Sequence, residues 1–135
     1  MARSFLGVVV GVVVWTVGFY ALAILLAQLW PDYAIQGRRW VRQGEFAFTP
    51  LMAWCNLVIW VMAEIGAGWV AAKISKRREA VWVLAGLLGI YLAVVHLVLY
   101  WSRFPWWYNL GVVIPAVPAV LLGAKLANPS GAEAR

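Results

Sequence analysis

The chain has 135 residues, of which 65% are hydrophobic and 12% charged, the latter about half the share usual for a soluble domain. A surface so poor in charge cannot be covered with polar groups, which excludes an ordinary water-soluble fold. The net charge of +6 is carried by cations that flank apolar runs, a pattern that suits anionic lipid headgroups and offers no basic surface for nucleic acid.

The first apolar run, Phe5–Trp30, holds no charge, and Thr16 and Gln28 are its polar side chains. It is too long for the apolar core of a signal peptide, about 7–15 residues, and long enough to span a bilayer as a helix. No lipidation motif is expected: position 2 is not Gly and the C-terminus is not a prenylation box. Gly7, Gly11 and Gly18 form a small-residue stripe of the kind that lets helices approach closely in lipid.

The connection from 31 to 50 opens with Pro31 and closes with Pro50, two helix boundaries. Between them, Ala34–Arg42 reads as a segment lying on the membrane surface, with Arg38, Arg39 and Arg42 among headgroups, or as an ordered loop. The second run, Leu51–Ala72, carries Asn56 and Glu64, with Ala67, Gly68 and Ala71 as its packing stripe. A basic turn over 73–80 follows, with Lys73, Lys76, Arg77 and Arg78 at headgroup depth. The third run, Val81–Trp101, has Ala85, Gly89 and Ala93 four residues apart, and therefore on one face. It also carries His96, the one histidine. After a turn at 102–105 the fourth run, 106–124, contains Pro115 and Pro118, which predict a bend, and stops at Lys125. The polar tail 128–135 is expected to be disordered.

The runs predict an all-α integral membrane protein of one domain, with four transmembrane helices in an antiparallel bundle. Short turns place the second helix beside the third and the third beside the fourth. Lys and Arg number seven on one side (Arg3, Lys73, Lys76, Arg77, Arg78, Lys125, Arg135) and four on the other (Arg38, Arg39, Arg42, Arg103). That excess puts both termini in the cytoplasm. Most of the ten tryptophans lie near helix ends and, with Tyr33, Tyr100 and Tyr108, read as an interfacial belt; Trp15 and Trp60 fall inside the hydrocarbon.

The polar residues within the spans are the candidate site. Asn56, Trp60, Glu64 and Gly68 are four apart and share a face. An ionised carboxylate at mid-bilayer costs at least about 2.5–3.5 kcal/mol on insertion scales, so such a residue faces protein or water. By depth, Thr16 and Tyr91 lie near Glu64, whereas His96 lies near Asn56. This predicts an Asn56–His96 pair and a hydroxyl or indole partner for Glu64. Metal-ligand spacing, paired catalytic carboxylates, phosphate-binding glycine loops and a Ser/His/Asp set are all missing, so neither catalysis nor a cofactor is expected. The alternatives are a hydrophobic pigment or quinone on the aromatic side chains, and His96 as a lone axial ligand to a haem or chlorophyll-like pigment.

Ile65–Ile74, Pro105–Trp107 and Pro118–Ala127 resemble the signatures of a family of small four-helix bacterial inner-membrane proteins without an assigned activity. The resemblance implies a multi-pass protein of the bacterial inner membrane. Members of that family often carry an acidic residue in the first helix; here Trp15, Thr16 and Gly18 occupy that region. The expected function is a non-catalytic accessory or structural subunit that packs against lipids and larger membrane partners, as a hetero- or homo-oligomer. The alternative is a small homo-oligomeric transporter or channel using Glu64 as a proton or cation site.

Overall fold

In the computed structural model, which describes residues 1–127, the chain folds into five α-helices; the tail 128–135, expected to be disordered, lies outside the described residues. They are α1 (Ala2–Leu29), α2 (Pro31–Gln43), α3 (Pro50–Ser75), α4 (Arg78–Ala93) and α5 (Trp106–Ala127). A π-helical segment, Val94–Leu99, continues α4. No strand occurs among the described residues. Four helices are long and apolar enough to cross a membrane: α1, α3, α4 with its π continuation, and α5.

Local chemistry sets the boundaries. Pro31 and Pro50 each occupy the first turn of a helix, where the missing N–H costs nothing. Thr49 caps α3 by accepting from the Met52 N–H at 3.3 Å. Gly44 ends α2 in the left-handed region at φ 68°, and its N–H donates to the Trp40 carbonyl. The basic turn is tighter than the sequence suggests. Lys73 belongs to α3, Arg78 opens α4, and Lys76, at φ 52°, makes the corner. Pro115 and Pro118 lie inside α5, whose helix runs on past both although neither has an N–H to donate.

α3 is the axis of the molecule, with α1 and α5 on its two sides and α4 against all three. Small residues make the approach close. A side chain at Gly7 would meet Ser75 and the Ala71 carbonyl, one at Gly11 would meet Leu84, Ala67 and Ala71, and Gly18 faces Ala63. On the opposite side Gly68 lies on the backbone of Val120, and Gly123 on that of Ile65. Gly89 faces Val117, and Ala85 is fully buried; Ala93 is half-buried. In lipid, where apolar burial gives no net drive, backbone-to-backbone contact of this kind is what holds helices together.

Candidate functional site

Two polar clusters lie where α2, α3, α5 and the π segment meet. In the first, Asn56 Nδ2 donates to the Tyr33 hydroxyl oxygen at 2.6 Å, and the Tyr108 hydroxyl donates to Asn56 Oδ1 at 3.0 Å. Asn56 is thus bonded to α2 and α5, and not to His96 as its depth suggested. The Trp60 indole N–H lies by the Tyr108 hydroxyl without meeting hydrogen-bond geometry.

In the second cluster His96 Nδ1 and Asn109 Oδ1 are 3.0 Å apart. Asn109 Nδ2 donates to the carbonyls of Trp101 and Phe104, which fixes which side of its amide is oxygen. His96 Nδ1 must therefore be the donor, and in the neutral ring Nε2 is left as an acceptor. The π segment makes this pairing reachable. Its wider turn, seen where the Tyr100 N–H donates to the Val95 carbonyl five residues back, keeps His96 buried beneath Leu92 instead of letting it drift off the inward face.

Both clusters border a cavity of about 710 Å³ between α1, α2, α3 and the end of α4. Its lower walls are aromatic. Trp60 stacks on Phe19 at 4.0 Å between centroids, Trp15 lies 5.5 Å from Trp60, and Tyr91 meets Trp15 edge-on. α2 lines the other end and contributes Arg38 and Arg42. Tyr20, Ile24 and Tyr91 line the cavity and are also exposed, as are Arg38, Val41 and Arg42 of α2, so it is open to the surface along α1, α2 and α4.

The structure sorts the predicted site residues into two places. Asn56, His96, Thr16 and Tyr91 meet in the cavity, and Arg38 and Arg42 join them. Thr16 spends its hydroxyl on the Val12 carbonyl at 3.0 Å. Glu64 is elsewhere. It is fully buried, it does not line the cavity, and neither carboxyl oxygen has a partner among the described residues, in place of the hydroxyl or indole expected. Arg39 and the cations Lys73, Lys76, Arg77 and Arg78 are exposed outside the cavity, and Arg38 and Arg42 are exposed at its edge. Sequence reasoning missed Asn109, although an asparagine in an apolar run is the same signal that marked Asn56. It also assigned Tyr33 and Tyr108 to the interfacial belt, whereas both are buried.

No group of three or more His, Cys, Asp or Glu side chains that could hold a metal ion occurs among the described residues. Four helices long and apolar enough to cross a membrane mark the chain as a multi-pass membrane protein. No family model, curated protein or solved structure matches it.

Proposed function

We propose that the chain is a non-catalytic accessory protein of the bacterial inner membrane, and that its working part is the aromatic cavity, in which it holds an amphipathic small molecule. The observation that carries this reading is the cavity itself. Its volume of about 710 Å³ falls within the range of about 300–1,000 Å³ that small-molecule sites occupy. It combines aromatic walls, a few polar groups and an opening along α1, α2 and α4 through which an amphiphile can enter from lipid.

In this reading the four spans form an antiparallel bundle with both termini and the corner at Lys76 in the cytoplasm. The contacts of Gly7 with Ser75, Gly11 with Ala67 and Gly18 with Ala63, which run in opposite senses, support it. So do those of Gly111 with Leu57 and Gly68 with Val120, which run in the same sense. The cavity then lies in the outer half of the bilayer beneath α2, whose arginines reach headgroups. The small-residue stripes are used within the bundle, so a larger subunit would dock on the exposed apolar flank of α4, for example Val83, Leu87 and Ile90.

Mass spectrometry of extracts from the purified protein tests the cavity. The wild type should carry a stoichiometric amphiphile that the cavity-filling variant Ala23→Trp lacks. Bulk lipid alone in both would overturn the reading. A proton- or cation-transporting homo-oligomer is the second reading, and it rests on Glu64, a buried carboxyl without a partner among the described residues. It requires pH-dependent flux in vesicles that Glu64→Gln abolishes.

A further inference from the structure

We infer that the cavity is built for an iron tetrapyrrole of the haem type, with His96 Nε2 as an axial ligand and Arg38 and Arg42 on the ring's carboxylates. This deepens the cavity reading and rests on it. Three independent features point there.

The first is the histidine. A metal-ligating imidazole presents one nitrogen and donates the other ring N–H to a fixed acceptor, which sets its tautomer and orientation. His96 has that arrangement: Nδ1–H is held by Asn109 Oδ1, itself locked by two backbone carbonyls, and the ring lines the cavity. Nε2 has no hydrogen-bond partner among the described residues.

The second is the pair of arginines. Arg38 and Arg42 are four apart on α2, hence on one face, and both line the cavity. Two cations one turn apart suit two carboxylates on one edge of a planar ring. Their height fits as well. Tyr33, at the start of α2, reaches down to Asn56, which lies six residues into α3, or about 9 Å below its first residue. His96 is near that depth, because its partner Asn109 follows Tyr108, which is bonded to Asn56. The arginines of α2 and His96, at about the depth of Asn56, thus border one cavity.

The third is the wall. Trp15, Phe19, Trp60, Tyr91 and Phe104 offer aromatic faces and edges to a large planar ligand. A phospholipid fits less well. With its phosphate on the arginines, its acyl chains would lie against His96 and Tyr33, and polar groups facing hydrocarbon lose their hydration without return.

Ferric haem titrated into the detergent-purified protein, followed through the Soret band, tests the inference. The wild type should bind one equivalent and give the spectrum of a histidine-ligated haem. His96→Asn keeps an amide N–H for Asn109 but removes Nε2, so it should stay folded and lose that spectrum. In His96→Gly, added imidazole should restore it. Arg38→Gln and Arg42→Gln should each weaken binding about two- to fivefold, as expected of partly exposed ion pairs. An unchanged spectrum in His96→Asn, or no haem binding by the wild type, overturns the inference. If the wild type still carries an amphiphile that Ala23→Trp lacks, the broader cavity reading survives that result; if it carries none, both fall.

Discussion

At the scale of single residues, two buried polar groups behave oppositely. Asn109 is fully buried and all its amide groups are used, on His96 and on two carbonyls of the turn that follows the π segment. Glu64 is equally buried and uses nothing. A buried group without a partner costs about 1–3 kcal/mol, whereas an apolar side chain of similar shape costs nothing of the kind. Glu64→Met should therefore stabilise the bundle by about 1–3 kcal/mol, read as a higher thermal midpoint in detergent. A clear loss of stability would mean that the carboxyl has a partner outside the chain. Tyr33 yields a second prediction. Burial pushes its phenol above the ordinary value of 10.0, and the Asn56 hydrogen bond opposes this only in part. A pKa raised on folding gives stability that is full below the unfolded value and is lost as pH rises through the folded value. The unfolding midpoint of the wild type should fall above about pH 10 more steeply than that of Tyr33→Phe, whose ring cannot ionise. Equal slopes would show that the Tyr33 hydroxyl is not buried in solution. The sequence made Glu64, Asn56 and His96 legible as polar residues in apolar runs. It did not make their partners legible, because Tyr33 and Asn109 come from α2 and α5, and depth along a helix says nothing about which neighbour faces it.

At the scale of elements, the spans were legible because apolar length is a direct requirement of the bilayer. The π segment was not: a run of Val, Leu and His reads the same in either helix. Nor was the arrangement around α3. Short turns place helices next to each other in sequence, but the glycines decide which pairs come closest, and those are α3 with α1 and α3 with α5. Two glycines separate packing from propensity. A Cβ at Gly68 would collide with the Val120 carbonyl on α5, whereas a Cβ at Gly86 on α4 would meet nothing within 4 Å. Gly68→Ala should force α3 and α5 apart and lower the thermal midpoint or the yield of folded protein. Gly86→Ala should be neutral or stabilising, by up to about 1 kcal/mol from helix propensity. Equal effects would remove close backbone contact as the basis of the α3–α5 interface.

For the whole molecule, orientation fixes which leaflet the cavity opens into. The cation count favours an inside corner at Lys76, and the arginines of α2 pull the other way. α2 gives a reason to discount its arginines. Arg38 and Arg42 line a cavity, and a cation with a local role there is weak testimony about translocation. The four cations around the corner are exposed too but line no such cavity, and in the proposed topology they hold that corner at the cytoplasmic headgroups. Cysteine labelling decides the matter, provided the sites are chosen by exposure. Ser75 is unsuitable: it is buried, and its hydroxyl donates to the Ala71 carbonyl at 2.7 Å. Glu79, exposed in the first turn of α4, keeps every cation in place when substituted, and acidic residues contribute little to orientation. In a Cys55→Ala background, a membrane-impermeant maleimide should label Gln43→Cys on intact cells and Glu79→Cys only after permeabilisation. The reverse pattern would turn the molecule over, move the cavity to the cytoplasmic leaflet, and leave its internal geometry, with His96 below Arg38 and Arg42, unchanged.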